Sequence, residues 1–215
     1  LGTGNPQRGL PYHLPLWLKV WIDFRQWRDD GTLDRLHDHL RDQVRQQTGR
    51  HPHSSAVILD SQSVKTTEKG ARGSDSGKQG AGRKPHLVVD TLGLIYGLVI
   101  HPANLQDRDG ARLVLTPLMG RMPRLRGIWA DAGYGGKLVD WVQVQTSWDL
   151  EVVAKAPGAT TFTVLPHSWI LERTFAWLGK YRRLSKDYEH LVSSSVAMIR
   201  LAMIRLMTKR LARAR

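Results

Sequence analysis

Three acidic residues sit where metal ligands are useful: Asp60 at the end of AVILD, Asp131 in GIWADAGYGG, and Glu172 in SWILERTFAW. The first two close short apolar runs that read as strands, and the third lies in a helical stretch rich in Trp and Arg. A carboxylate at the end of a buried strand is costly unless it is hydrogen-bonded or bound to a cation. Three carboxylates brought together would form an oxygen-rich site for a hard divalent ion such as Mg²⁺. That chemistry suits a phosphodiester, where two ions about 3.5–4 Å apart clamp the attacking and departing oxygens. Asp60 is placed as the bridging ligand, with Asp131 and Glu172 each serving one ion. Spacing alone leaves Asp90, Asp107, Asp109 and Asp140 as rivals, and leaves Glu172 as readily a surface residue as a ligand.

The charge balance points to the same substrate. Lys and Arg total 32 against 19 Asp and Glu among 215 residues, a formal net charge of +13 with a pI near 10.5. This is the electrostatic footprint of a nucleic-acid binder, although membrane-surface proteins share it. No apolar run reaches the roughly 18 residues needed to span a bilayer. Cysteine is absent, which excludes disulfides and thiolate metal sites and fits a reducing cytosol. Eight Trp and 41% hydrophobic residues supply a core.

The elements that must position the acids follow from pattern. Leu16, Val20, Phe24 and Trp27 recur at helical spacing and predict a helix ending at Asp29-Asp30-Gly31. Leu33, Leu36, Leu40 and Val44 predict a second, with Arg35, Asp38, Arg41 and Arg45 on its other face. Residues 1–14 read as loop, 1–50 as a partial helical region, 51–55 as a linker and 56–215 as the main domain. Strands are predicted at 56–60 (extended through SQSVKTT), 86–90, 94–100, 127–131 and 150–156. Helices are predicted at 107–120, at 137–145 and from about Ser168. The hairpin links make the first three strands antiparallel, and the helical crossovers make the last two parallel to a neighbour. The fold class is therefore α/β: an RNase H-like mixed five-stranded sheet flanked by helices. Asp60 and Asp131 would lie side by side on adjacent strands, with Glu172 reaching over them.

Basic residues cluster in two places. Residues 65–84 form a Gly-rich hairpin region carrying Lys65, Arg72, Lys78, Arg83 and Lys84, suited to tracking a phosphate backbone or to simple solvation. It is no NTPase phosphate loop, because Arg72 and Gln79 stand where that motif needs Gly and Ser or Thr. Arg173, Lys180 and Arg183 follow Glu172, with Arg183 near its helical face. The AMIRL repeat at 197–206 has apolar residues around most of the helix, which predicts packing against the core, and the terminal KRLARAR reads as frayed.

The segments ILDSQSVKTTE, HLVVDTLGL, NLQDRDGA, IWADAGYGG and WILERTFAWLGKYRRLSKDYE together resemble the DDE transposases of bacterial insertion sequences, in the group named after insertion sequence five. The resemblance implies an RNase H-like fold in which Asp60, Asp131 and Glu172 bind two Mg²⁺ ions, with Mn²⁺ able to substitute. It further implies cleavage at the terminal inverted repeats of an element and attack of the freed 3′-hydroxyl on target DNA. The implied partners are double-stranded DNA and a second copy on paired ends, in the nucleoid-bearing cytoplasm of a bacterium. The chain departs from the family's usual pattern in the Gly82–His86 run, at Ser74 and at Gly135. Thr3-Gly4, Arg8 and Leu10-Pro11 resemble a segment internal to family members, so part of the helical N-terminal region is expected to be missing. The rival expectation is a catalytically idle relic that binds DNA or interferes with an intact relative.

Overall fold

The computed structural model describes residues 15–67, 70–75, 78–153 and 167–213; the expected N-terminal loop lies outside them. Five principal strands make one sheet: β1 (Ala56–Ser61), β4 (Lys78–Asp90), β5 (Ile95–Pro102), β6 (Gly127–Asp131) and β7 (Asp149–Val153). Two short strands, β2 (Val64–Lys65) and β3 (Gly73–Asp75), pair with the first half of β4 and bring the sheet to seven. β4 is antiparallel to both β1 and β5, while β1–β6 and β6–β7 are parallel. This is the RNase H-like mixed sheet, three antiparallel strands followed by two reached through helical crossovers.

The β4–β5 turn shows how local chemistry sets the register. Asp90 Oδ1 accepts from the backbone N–H of Leu92 (2.9 Å) and Leu94 (2.8 Å), and Gly93 supplies the left-handed backbone at φ 78°. The expected continuation of β1 through SQSVKTT is interrupted. Pro85 on β4 has no N–H to donate, and β1 ends at Ser61 opposite His86; the chain resumes as β2 farther along β4.

Helices cover both faces. α3 (Asp107–Leu115) and α4 (Lys137–Gln145) pack Ala111, Val114, Leu115, Leu138 and Val142 onto Val57, Leu59, Ile128 and Ala130. On the other face α2 (Thr32–Gln47), α5 (Ser168–Gly179) and α6 (Val192–Arg213) pack Val44, Leu171, Ile199 and Met203 onto Ile58, Leu87, Val89 and Ile95. Alternation along β1 thus sends Val57 and Leu59 to one core and Ile58 to the other.

The N-terminal helices differ from the pattern-based expectation. In α1 (Trp17–Asp29) no residue is fully buried, and Trp27, expected inward, is exposed. In α2 the expected polar face is partly interior: Arg41 and Arg45 are buried while Leu36 is exposed. The reason is electrostatic pairing. Arg45 forms a buried ion pair with Asp90, and Arg41 lies 4.0 Å over the Tyr96 ring and bonds Asp38 at 2.7 Å. α2 is also tied to α6, with Arg200 Nε 2.9 Å from Asp34 Oδ1 and Nη1 3.2 Å from His37 Nδ1. The AMIRL repeat packs as expected, burying Ala197, Ile199, Ala202, Met203 and Met207. The expected fraying does not occur through Arg213, and Arg210 lies 4.5 Å over the Trp177 ring.

Candidate active site

β1 and β6 run parallel with Leu59 beside Ala130, so the next residues, Asp60 and Asp131, stand together at the ends of adjacent strands. Each lies two positions beyond a residue facing the α5 layer, Ile58 and Trp129 respectively, and alternation turns both carboxylates toward α5. They line a small cleft with Trp129, Val153, Ser168 and Leu171. Glu172 follows Leu171 on α5; it is exposed and close enough to raise the pKa of Asp60. His167, at the head of α5 with φ 70°, stacks on Trp129 at 4.0 Å, and Trp129 Nε1 donates to Glu151 at 2.8 Å. This stack sets the entry of α5 beside the cleft.

The carboxylates are unevenly solvated. Burial pushes the Asp60 carboxyl up to about 7, opposed by the Ser61 amide donating at 2.7 Å and reinforced by Asp131, Asp107 and Glu172. Burial also raises Asp131, opposed by the Gly133 amide at 2.9 Å and reinforced by Asp107. Asp107, one of the rivals left open by spacing, thus acts on both. The others are elsewhere: Asp90 is bound to Arg45, and Asp109 and Asp140 are exposed in the first turns of α3 and α4.

A polar chain beneath the acids escaped sequence reasoning. Asp107 Oδ1 accepts from Ser61 Oγ and from Lys84 Nζ, both at 3.0 Å, and His86 Nε2 lies 3.8 Å away. His101 Nδ1 donates to the Pro102 carbonyl at 2.8 Å, so its Nε2 accepts from His86 Nδ1, also 2.8 Å. That assignment leaves His86 Nε2 unprotonated, in keeping with burial driving the His86 pKa down to about 3; the atom is buried without a hydrogen-bond partner. The Tyr134 hydroxyl is likewise buried and unpartnered. Asp107 opens α3 directly after β5, and Tyr134 lies three residues past Asp131. Their only signals in sequence were those positions.

The basic candidates divide. Lys65, Arg72 and Lys180 are exposed, and the side chain of Lys78 lies outside those described. Arg83 and Lys84, expected on a DNA-tracking tip, are instead buried. Arg83 bonds Asp187 (2.9 Å), Ser195 (3.1 Å) and the carbonyls of Ala71, Glu189 and His190. Arg183, expected beside the metals, pairs with Glu189 through Nε and Nη2, both 2.8 Å from Oε1. Arg173 is half-buried between Trp169 (4.6 Å) and Trp177 (4.8 Å). A guanidinium whose nitrogens are committed inside the protein is a poor phosphate contact. Arg83 and Arg183 line a separate, larger cleft of about 360 Å³ between β2, α5 and α6.

Among the described residues, no three His, Asp or Glu side chains converge tightly enough to share one ion. Mg²⁺ does not demand that, because it is commonly held by one or two carboxylates with waters and substrate phosphate oxygens. The paired hard oxygens of Asp60 and Asp131 fit that donor set, and the resistance of Asp60 to ionisation is what a neighbouring cation relieves.

The mixed sheet thus places two aspartates at adjacent strand ends, on the face covered by the helix that bears Glu172. The sequence model of the transposase DDE domain family matches residues 51–207, and the chain belongs to that family. It is 26% identical over 155 residues to a putative transposase for insertion sequence element IS402 of Burkholderia cepacia, covering 67% of this chain and 70% of that one. A chain in the cryo-EM structure of a simian T-cell lymphotropic virus intasome, in complex with PP2A regulatory subunit B56 gamma, superposes with TM-score 0.43 at 17% identity. That alignment covers 66% of this chain and 46% of its counterpart.

Proposed function

We propose that this chain carries the catalytic centre of an insertion-sequence transposase, with Asp60, Asp131 and Glu172 as its acidic triad. The finer assignment, to the group named after insertion sequence five, rests on the motif from Trp169 to Glu189. The observation that supports the reading most is the side-by-side placement of Asp60 and Asp131 at the ends of β1 and β6, on the face covered by α5. The reaction is cleavage of DNA at the ends of the element, followed by attack of the freed 3′-hydroxyl on a target phosphodiester.

Mg²⁺ or Mn²⁺, two ions in the full assembly, would neutralise charge on the attacking and departing oxygens. Asp60 and Asp131 would hold the cations through carboxylates oriented by the Ser61 and Gly133 amides. Glu172, exposed on α5 and near enough to act on Asp60, would supply the third carboxylate. Lys65, Arg72 and Lys180, with free exposure to solvent, contact the backbone of double-stranded DNA. The working unit is a homodimer on paired DNA ends; a monomer holding two ends, seen by light scattering, would refute this.

The direct test is strand transfer from a pre-cleaved oligonucleotide end with Mg²⁺ or Mn²⁺, comparing wild type with Asp131→Asn. Joining by wild type and a loss of at least about 100-fold in the variant is expected. If both proteins bind DNA and neither joins it, while an intact relative does, the idle relic is the correct reading.

A further inference from the structure

Among the described residues, Asp107 is the acidic group outside the proposed triad that acts on both strand-end aspartates. On one side its Oδ1 accepts from Ser61 Oγ at 3.0 Å, and the Ser61 amide donates to Asp60 Oδ1 at 2.7 Å. Ser61 thus reads the position of Asp107 and passes it to Asp60. On the other side, the point where a Cβ of Gly133 would stand is 3.1 Å from Asp131 Oδ1 and 3.9 Å from Asp107 Oδ2. Both carboxylates therefore lie within 4 Å of one point, which the glycine leaves open. Lys84 Nζ, 3.0 Å from Asp107 Oδ1, holds the group in place through that oxygen.

A second observation concerns the same corner of the fold. Tyr134 is 1% exposed, and its hydroxyl has no hydrogen-bond partner. After burial, the charge of Asp60 raises its pKa most, followed by Asp107 and Asp131 with Ser61 opposing, so the hydroxyl lies in the neighbourhood of these carboxylates. A buried hydroxyl is rarely left unsatisfied unless water or an ion with its hydration shell completes the site.

We propose that Asp107 is a positioning residue of the cation site, which orients Asp60 through Ser61 and adds negative charge beside Asp131, strengthening divalent-cation binding from the side opposite Glu172. This rests on the transposase reading of the same site. Groups that support metal ligands in this way typically change affinity by about 10–100-fold when removed.

The experiment is Mn²⁺ binding to the whole DNA-free protein, followed by electron paramagnetic resonance of the unbound ion. Wild type is compared with Asp107→Asn, Ser61→Ala, Asp131→Asn and the exposed control Asp109→Asn, with circular dichroism melts on each. Asp107→Asn keeps an oxygen for Ser61 and Lys84 but removes the charge, and is expected to weaken binding by about 10-fold at an unchanged melting profile. Asp109→Asn is expected to leave the affinity within about 2-fold, because an exposed charge is screened. Wild-type affinity in Asp107→Asn, or an equal loss in Asp109→Asn, overturns the proposal. If Asp107→Asn does not fold, Ser61→Ala decides: weaker binding supports the relay, and unchanged binding overturns it. The two readings separate cleanly. Should wild type bind Mn²⁺ and Asp131→Asn lose it while Asp107→Asn does not, only the role of Asp107 fails. Should wild type bind none, both fail.

Discussion

Asp60 carries the largest electrostatic tension of the triad, and its consequence for stability has a definite sign. Its carboxyl is raised from an ordinary 3.8 to about 7 by burial first and by neighbouring carboxylates second. Between those values the folded protein holds a proton that the unfolded chain has released, so stability falls as pH climbs from about 4 to about 7. Asparagine has no charge to bury. Asp60→Asn is therefore expected to be more stable than wild type at pH 8 without divalent metal, by on the order of 3 kcal/mol. The gap should close near pH 4, as urea titrations at both pH values would show; equal stability at pH 8 would mean that Asp60 is well solvated. Asp60 and Asp131 stood out in the sequence because carboxylates closing apolar strands are conspicuous, whereas Glu172 joined them only through the family resemblance. Asp107 was visible only as one of four rivals, since nothing local distinguishes it from Asp109; the contacts to Ser61 and Lys84 come from strands distant in sequence.

At the scale of elements, the site depends on how closely α3 approaches the sheet. Gly110 in α3 sits over the His86–His101 pair, and a Cβ there would meet His86 Cε1 at 2.3 Å and His101 Nε2 at 2.5 Å. Both rings are buried and hydrogen-bonded to each other, so neither is free to retreat. Gly110→Ala gains about 1 kcal/mol of helix propensity, while forcing atoms into a packed interior costs about 1–3 kcal/mol. The clash should win. Net destabilisation in chemical unfolding is expected, together with weakened Mn²⁺ binding as Asp107 moves with its helix. A variant as stable as wild type would show that α3 can shift without harm. The elements themselves were largely readable: β6 and α4 fall where periodicity places them, and α5 begins at Ser168 as expected. The interruption after Ser61 and the short β2 and β3 were not, because pairing along β4 rather than local propensity decides where they form.

For the whole molecule, a net charge of +13 overstates the cation available to DNA. Arg41, Arg45, Arg83 and Lys84 are buried in internal pairs, and Arg183 is bound to Glu189. Replacing one partner of a buried pair commonly costs about 3–5 kcal/mol, whereas an exposed lysine on the backbone path contributes mainly to salt-dependent affinity. Lys65→Ala and Lys180→Ala are each expected to lower the slope of log K against log salt by about 1 with unchanged melting temperature. Arg83→Ala should instead lower the melting temperature by several degrees. Fluorescence anisotropy across a salt series, beside thermal melts, checks both; a normal melt with a reduced slope in Arg83→Ala would return that residue to the DNA path. No helix among the described residues is long and apolar enough to cross a membrane.

The order of the elements and the two strand-end aspartates are written locally in the chain. These depend on periodicity and on neighbours a few residues away. Which charges face solvent is settled by contacts between segments far apart in the chain. Arg45 meets Asp90 and Arg83 meets Asp187 across long stretches of chain, and a helical stripe cannot show that an arginine on its polar side will find a buried carboxylate. The same holds for Asp107. Its alliance with Asp60 exists because β1, β4 and α3 converge at one end of the sheet, and the low dielectric there turns a nearby charge into a strong influence.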